Sequence, residues 1–407
     1  MDKLLMIPGP TNVHQRALEA MYRPLTDHRG PEFESLYAEL LENLKYFFQT
    51  KKWDVIPFTA SGTGAVECII SNIVAPGDKV LVPLYGNFTN RVKEIVEVYG
   101  GEAITLKVPE REAVTAEQIE EALKREMVKM VFLVFNETST GVKVVDLKEI
   151  AKVTHEHGAL IAVDAVSGLG GDDLPVEEWD IDLCASASQK CLAAPTGVSM
   201  VSVSDRAWEV INSMKARSHY FDLKLYKRFF VERRQTPFTP AVSIFYAVNE
   251  ALKVLKEEGL ENRIRRHKVC AEAFYAAMEA LGLKCYAKPR FRSNTVIAVE
   301  VPSSLREGDI RRVMRERYGI YIAGGMADLR GKIIRIGSMG IVDRQIVLRT
   351  VSSLECTLKE LGWNFKIGSG VEAALSVFSR YSDIIVKRRL QDPLSRASWL
   401  CDRHPPR

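Results

Sequence analysis

Short β-branched runs alternate with longer amphipathic stretches between residues 55 and 203, and this alternation restricts the fold more than any other feature of the chain. The runs lie at 54–58, 80–83, 130–135, 160–164 and 198–203, and the amphipathic stretches lie at 65–74, 91–99, 116–126 and 147–157. Apolar strands separated by helices are typical of a mostly parallel sheet that is buried on both faces. Such sheets bind ligands at the carboxyl ends of their strands. The sequence therefore predicts an α/β domain with a site at that edge.

A different rhythm begins near residue 257 and predicts a smaller α+β domain. A long amphipathic helix (262–281) is followed by a strand-like run (294–301), a second helix (309–318) and another strand-like run (332–336). We predict four parts: an N-terminal arm (1–20), a large domain (21–256), a small C-terminal domain (257–365) and an extension (366–407). The extension has no role that its sequence indicates, and we expect it to be a solvated helix with a disordered end.

Charge and composition exclude several classes of protein. The 407 residues include 56 Lys and Arg against 52 Asp and Glu, so the net charge is +4 and gives no reason to expect nucleic acid or an anionic membrane as a partner. No apolar run approaches the ~18–20 residues that span a bilayer. The apolar run at the N-terminus is too short for the hydrophobic core of a signal peptide. The seven cysteines are scattered, without a CxxC pair, so neither disulfides nor a metal site is predicted. We expect a cytoplasmic protein.

Residues 60–67 (ASGTGAVE) follow an apolar strand and open a helix. Glycines let the backbone approach a ligand closely, and the free N–H groups of a helix's first turn favour an anion, so a phosphate is the natural ligand. Two other interpretations remain open on this stretch alone. One is a dinucleotide fingerprint, although the third Gly or Ala is missing, and the other is a plain capped turn.

Asp164 ends the hydrophobic strand 159–164 (ALIAVD). A buried carboxylate is costly unless it meets a cation or several donors, and a protonated pyridine nitrogen would be such a partner. An aspartate that merely caps the next loop is equally compatible with this pattern.

Lys190 lies in the small, apolar segment 185–192 (ASASQKCL). Desolvation there would lower its pKa and make it a nucleophile or base, whereas a surface lysine with a buried stem is the alternative. Together, a phosphate-binding turn, a strand-end Asp and a lysine among small residues, in this order, form the constellation expected for pyridoxal phosphate (PLP).

The chain resembles class V, fold-type I PLP aminotransferases, and among them the alanine–glyoxylate and serine–pyruvate enzymes. The matching stretches are 8–13 (PGPTNV), 28–33 (HRGPEF), 61–64 (SGTG), 137–142 (ETSTGV), 163–167 (VDAVS), 188–190 (SQK) and 335–337 (RIG). This resemblance implies a large domain built on a mostly parallel, seven-stranded-type sheet between helices, with a smaller C-terminal α+β domain.

The resemblance also implies roles for individual residues. Lys190 bonds covalently to the cofactor and moves the proton between the substrate Cα and the cofactor's C4′. The other cofactor contacts are the ring nitrogen (Asp164), the phosphate (Thr63, Gly64 and Gln189), the phenolic oxygen (Thr138) and the ring face (Phe88). Arg335 binds the substrate α-carboxylate, and Gly9 lies at the substrate site. Relatives often carry His where this chain has Ala65, so one phosphate contact is missing.

In this family a segment of the partner subunit also contacts the phosphate, and residues 234–240 (RQTPFTP) resemble it. Thr236 or Thr239 would make the contact, which implies a homodimer whose sites lie at the subunit interface. The expected reaction is a ping-pong transfer of an amino group from alanine or serine to glyoxylate or pyruvate.

Several alternatives on the same fold remain. One is a transaminase that acts on aspartate and 2-oxoglutarate or on a 2-aminophosphonate, for which Arg29 is a candidate second cation. Another is a cysteine desulfurase, although Gln189 rather than His precedes Lys190. A cofactor-binding regulator without catalysis is disfavoured, because no DNA-reading element appears.

Overall fold

The computed structural model describes residues 3–381. The strands are β1 (Leu4–Leu5), β2 (Asp54–Thr59), β3 (Lys79–Leu84), β4 (Glu102–Lys107), β5 (Met130–Val134), β6 (Asn136–Glu137), β7 (Val142–Lys143), β8 (Leu160–Asp164), β9 (Leu183–Ala187), β10 (Val198–Val203), β11 (Val296–Glu300), β12 (Ile320–Tyr321), β13 (Ala323–Gly324) and β14 (Ile333–Gly337). The helices are α1 (Gln15–Ala20), α2 (Pro31–Phe48), α3 (Gly62–Ile73), α4 (Asn87–Val98), α5 (Ala116–Arg125), α6 (Leu147–Glu156), α7 (Asp205–Ser213), α8 (Leu223–Arg233), α9 (Val242–Glu258), α10 (Leu260–Ala280), α11 (Glu307–Tyr318), α12 (Arg344–Glu360) and α13 (Ser369–Arg380).

The large sheet has seven strands in the order β2-β10-β9-β8-β5-β3-β4. All neighbours pair in parallel except β10, which is antiparallel to both β2 and β9. Strands β5, β8 and β10 are buried along their whole length, as expected for a sheet covered by helices on both faces. The mostly parallel α/β sheet that the pattern predicted, and the seven strands that the resemblance implied, are therefore confirmed.

Amphipathic helices bury one face against this sheet, and their ends follow local capping chemistry. In α5, the Thr115 side chain accepts from the N–H of Gln118, whose own side chain accepts from the N–H of Thr115. Large apolar side chains such as Phe58, Phe132 and Phe245 fill the resulting core. This packing fixes the carboxyl ends of the central strands relative to the helices that start there.

A second core lies under the antiparallel sheet β11-β14-β13. It includes Phe274 from α10 and Ile336 from β14. The chain's N-terminus joins it, because β1 pairs in parallel with β12 and buries Leu4 there. Residues that are distant in sequence thus share this core, and the division of the chain into four parts stays a prediction.

Part of the predicted extension is structured. Helix α13 packs against α10 and buries Val377 and Phe378 in the second core, so this helix is not simply solvated. Residues 382–407, including the basic runs at 387–389 and 403–407, lie outside the described residues. Within residues 3–381 no helix is long and apolar enough to cross a bilayer. The cytoplasmic location stays a prediction.

Candidate active site

A cavity of about 200 Å³ opens at the carboxyl ends of β5 and β8, between the first turns of α3 and α4. Its lining consists of Ser61, Gly62, Thr63, Val66, Phe88, Arg91, Val92, Val134, Asn136, Thr138, Asp164, Val166, Gln189 and Lys190. Six residues that the sequence singled out are thereby brought together: Thr63, Phe88, Thr138, Asp164, Gln189 and Lys190. They come from five separate stretches of the chain.

The first turn of α3 faces the cavity through Gly62 and Thr63. The Ser61 side chain does not cap this helix, so its first N–H groups remain available to an anion. Gly64 is not part of the lining. A Cβ atom at this position would lie 2.9 Å from the Cβ of Ala60, so the packing requires a glycine here. Only the backbone N–H of Gly64 is suited to a ligand contact.

Asp164 stands at the end of β8, where its carboxylate accepts a single hydrogen bond, 2.9 Å from the N–H of Val166. Burial raises its pKa to about 6, and that backbone hydrogen bond opposes the shift. A buried carboxylate with one donor has capacity for another. A pyridinium N–H supplies both the donor and the opposite charge.

Lys190 is held close to the N-terminal arm, with its Nζ donating to the carbonyl of Pro8 at 2.5 Å. Burial lowers the pKa of Lys190 to about 8, which makes the neutral, nucleophilic amine accessible near physiological pH. Gly9 has a φ of +94°, and a Cβ atom there would lie 2.5 Å from the Lys190 Nζ. The arm therefore needs glycine at this position to pass the lysine.

Phe88 and Arg91 lie one turn apart on α4, and both face the cavity. The Arg91 guanidinium carbon is 4.6 Å from the centroid of the Phe88 ring, and its Nη1 donates to the Thr63 hydroxyl at 3.0 Å. Val166 also lines the cavity. Sequence reasoning missed Arg91, although its spacing of three residues from Phe88 on a helix predicts a shared face.

Three side chains form a network beside Asp164. The Ser167 hydroxyl accepts from Asn136 Nδ2 at 2.8 Å and from Thr138 Oγ1 at 2.7 Å, and it donates to the Asn136 carbonyl at 2.9 Å. Its hydrogen-bonding capacity is therefore filled, and Thr138 is held at the cavity wall. Asn136 and Ser167 were also missed by sequence reasoning.

Glu137 connects two walls of the site. Its carboxylate accepts from the N–H groups of Phe88 and Thr89, at 3.0 and 3.1 Å, and from the N–H and hydroxyl of Ser139, at 3.0 and 2.6 Å. Burial raises its pKa, and these hydrogen bonds oppose the shift. The Glu137 side chain also packs against the backbone of Gly86. A Cβ atom at residue 86 would collide with it, so only glycine fits there. The hairpin β6–β7 is thus fastened to the start of α4.

Arg335 lies on β14 and is not among the residues that line the cavity, but its side chain is directed towards the same hairpin. Its Nη1 donates to the carbonyl of Thr138 at 2.9 Å and its Nε donates to the carbonyl of Gly324 at 2.8 Å. Within residues 3–381 its guanidinium makes no ion pair with a carboxylate. The fixed, uncompensated cation has the shape and charge to bind a carboxylate in two-point fashion.

Thr236 and Thr239 lie away from the cavity of their own chain. Thr236 is buried and its hydroxyl donates to the carbonyl of Phe238, whereas Thr239 is exposed and its hydroxyl lies 3.3 Å from His28 Nε2. Arg29 fixes this segment by donating to the carbonyls of Thr236 and Pro237.

The residues around the cavity fit PLP. Asn136 Oδ1 and Gln189 Oε1 are buried without a hydrogen-bond partner, which indicates polar surface reserved for a ligand. Thr63 and the first turn of α3 suit a phosphate, Asp164 suits a pyridinium, and Lys190 suits an aldehyde. A site of this chemistry at the carboxyl ends of β5 and β8, beside the first turn of α3, defines a fold-type I PLP enzyme.

The comparisons with known proteins narrow this class to one family. The model of the class V aminotransferases matches residues 9–334. An uncharacterized aminotransferase of Methanocaldococcus jannaschii is 45% identical over 93% of this chain and 98% of its own. The serine–glyoxylate aminotransferase of Arabidopsis thaliana is 33% identical over 94% and 97%.

Among solved structures, the ureidoglycine–glyoxylate aminotransferase of Bacillus subtilis superposes with a TM-score of 0.89, at 32% identity over 93% of this chain and 98% of that one. The chain belongs to the class V aminotransferases and is a PLP-dependent transaminase. Its substrates are small amino acids and 2-oxo acids.

Proposed function

We propose that this transaminase moves the amino group of serine or alanine to glyoxylate, or to pyruvate as a second acceptor, in a ping-pong reaction. The observation that carries the proposal is Arg335, a buried guanidinium fixed by two carbonyl groups and free of any ion pair in the described residues. All amino and 2-oxo acids share the carboxylate that such a group binds. The two named relatives that act on glyoxylate support it as the acceptor.

Arg29 is not placed to bind a second substrate carboxylate within its own chain, and the other cation of the cavity, Arg91, is hydrogen-bonded to Thr63 at the first turn of α3. Arg29, the cation considered for a second carboxylate, donates to the carbonyls of Thr236 and Pro237, which do not line the cavity. Arg335, in contrast, donates to the carbonyl of Thr138, which does line it. Aspartate or an aminophosphonate would therefore lack that partner within the same chain.

The roles of the chain's own residues follow from their positions. PLP, when bound, supplies the electron sink that stabilises negative charge at the substrate Cα. With PLP bound, Lys190 would be the base that moves the substrate Cα proton, because burial lowers its pKa to about 8 and makes the neutral amine accessible near physiological pH. Asp164 keeps the ring nitrogen protonated, Thr63 and Gln189 hold the phosphate, Thr138 contacts the phenolic oxygen and Phe88 covers the ring.

We also infer a homodimer in which residues 234–240 reach the partner's phosphate. Two observations support it: Thr236 and Thr239 do not line the cavity of their own chain, and large apolar side chains on nearby segments, such as Tyr22, Leu25 and Val231, are exposed. Such side chains are typical of a surface that a second copy covers.

Mixing Lys190→Ala with a threonine variant that has itself lost most of its activity tests the dimer. Lys190→Ala removes the lysine, and Thr239→Ala (or Thr236→Ala in a parallel experiment) removes the contact in trans. If the contact crosses the interface, random mixing restores activity to about a quarter of the wild-type level, because half of the dimers are mixed and each has one intact site. A mixture as inactive as its components would contradict the contact in trans.

Absorption spectra test the substrates. The purified protein with PLP is scanned before and after separate additions of L-serine, L-alanine and L-aspartate, and Lys190→Ala without added amine serves as the control. We expect serine and alanine to bleach the visible band and glyoxylate to restore it. Bleaching mainly by aspartate would refute the small-substrate proposal, and absence of a PLP band would refute the placement of Lys190.

Cysteine desulfuration is less well supported. A desulfurase needs a mobile catalytic cysteine in the smaller domain. Cys285 is buried, which raises its pKa to about 11 and makes it a poor nucleophile, and Cys356 lies within helix α12 rather than on a loop. Sulfide release from L-cysteine would favour this function instead.

A further inference from the structure

Arg91 is the second cation of the cavity besides Lys190, and none of the roles described so far uses it. Its guanidinium donates one hydrogen bond, to Thr63, and forms no ion pair with any carboxylate in residues 3–381. A half-buried arginine without a counter-ion, facing a cavity, has retained its capacity to bind an anion.

The contacts of Arg91 show which part of the cavity its guanidinium faces. Its hydrogen-bond partner Thr63 belongs to the first turn of α3, where the uncapped N–H groups favour a phosphate. The Phe88 ring supports the guanidinium from α4 and fixes its approach to Thr63. Arg91 therefore lies at the phosphate-binding turn.

Charge compensation at that turn is otherwise incomplete. A phosphate monoester carries a charge of about −1.5 to −2 at neutral pH, whereas a helix N-terminus offers only about half a positive charge. The side chain at residue 65 is a buried alanine and supplies none. Lys190 is committed to the aldehyde. The guanidinium of Arg91 is the cation that remains.

We propose that Arg91 pairs with the phosphate of PLP and replaces the side-chain contact that Ala65 lacks. This inference rests on the proposed cofactor site and adds a phosphate-specific ligand from α4. It predicts that Arg91 distinguishes PLP from pyridoxal, which has the same ring and aldehyde but no phosphate.

The test titrates the full-length apoprotein with PLP and with pyridoxal, following the visible band and the quenching of tryptophan fluorescence. For Arg91→Met we expect PLP affinity to fall about 10- to 100-fold, the range of a lost charge-assisted hydrogen bond. Pyridoxal affinity should change by less than about 3-fold, because the ring contacts remain. Arg91→Lys should recover much of the PLP affinity, because it restores the charge without the planar geometry.

Lys93→Met is the matched control. Lys93 lies on the same helix, pairs with Glu97 and does not line the cavity, so its loss removes one positive charge from α4 without touching the site. Circular-dichroism melting of all variants compares their folding.

Phosphorus NMR of the PLP-loaded proteins gives a readout independent of affinity and activity. In the wild type, pairing with Arg91 keeps the phosphate dianionic, so its chemical shift should stay constant down to about pH 6, near the second pKa of a free phosphate. In Arg91→Met the shift should titrate at a higher pH than in the wild type.

The outcomes separate the alternatives. Equal losses for PLP and pyridoxal would overturn the proposal, because Arg91 would then support the cavity and not the phosphate. Unchanged PLP affinity with lower kcat/KM for aspartate alone would also overturn it and would assign Arg91 to a substrate carboxylate. If the wild-type chain bound neither PLP nor pyridoxal, the proposed function of the site would fail together with this inference.

Discussion

Asp164 and Glu137 are both buried carboxylates near the cavity, but the surrounding chain satisfies them to different degrees. Glu137 accepts four hydrogen bonds, from Phe88, Thr89 and Ser139. Asp164 accepts one, from Val166. Burial raises the pKa of both, but only Glu137 has enough donors to offset much of the cost of desolvating its charge.

The number of donors distinguishes a carboxylate with a structural role, Glu137, from one that is suited to bind a ligand, Asp164. Glu137 stabilises the junction between α4 and the hairpin β6–β7, which carries Thr138. Asp164 remains short of donors until a cationic ligand arrives, so its environment costs stability in the free protein and contributes binding energy to the cofactor. The number of protein donors, rather than burial alone, distinguishes the two roles.

Asp164→Asn should have the largest effect on activity. An amide cannot stabilise a protonated ring nitrogen, so we expect transamination to fall on the order of 10²–10³-fold, as when other charge-stabilising groups are removed from active sites. Lys190 should still bind the cofactor, and the visible band should persist. Steady-state kinetics with a saturating amino donor measures the effect, and activity within about 5-fold of wild type would mean that Asp164 does not hold the ring nitrogen.

Glu137→Gln should have the largest effect on stability. The amide turns an NH₂ group towards donors that require an acceptor, so we expect a loss of about 2–4 kcal/mol in the free energy of unfolding. Urea denaturation measures it. Glu121→Gln is the control, since Glu121 is exposed and its ion pair with Arg125 is long, at 3.8 Å. Equal stability of the two variants would show that the four hydrogen bonds of Glu137 contribute little.

The stability of the apoprotein should depend on pH through Asp164. Its pKa of about 6 in the folded chain lies above the usual 3.8, so folding favours the protonated carboxyl. The resulting stabilisation is complete below pH 4 and is lost as pH rises through 6, by roughly 2–3 kcal/mol. Glu137 acts in the same direction. Asp164→Asn should therefore flatten this decline, and an unchanged slope would contradict the raised pKa.

Ser139→Ala should have the smallest effect on stability. It reduces the number of hydrogen bonds that the Glu137 carboxylate accepts, so Glu137 becomes more like Asp164, which accepts only one. It removes the hydroxyl that donates to Glu137 and accepts from the N–H of Asn87, so we expect a loss of about 1–2 kcal/mol. Ser379→Ala, at an exposed hydroxyl on α13, should cost less than about 0.5 kcal/mol. Melting curves of both variants compare them, and a Ser139→Ala protein as stable as the control would mean that water replaces the lost donor.

Part of the fold was predictable because the pattern is local. The run at 160–164 is β8, the run at 130–135 exceeds β5 by one residue, and the amphipathic stretch at 65–74 overlaps α3 up to Ile73. Strands β4 and β9 were not predicted. Strand β9 (LCASA) consists mostly of small residues without a β-branched pattern, and its pairing with β8 and β10 overrides its weak propensity. The antiparallel direction of β10 likewise depends on connections that periodicity does not encode.

The sequence by itself determined the class of the fold and the positions of Asp164 and Lys190, because strand ends and small apolar segments are visible along the chain. Only the tertiary structure decided which groups satisfy them. The donors of Glu137 at Phe88 and Thr89 are 49 and 48 residues away, and Arg335 meets Thr138 across 197 residues. Hydrogen bonding and charge pairing act over a few ångströms in space, so they are fixed only when packing brings distant segments together.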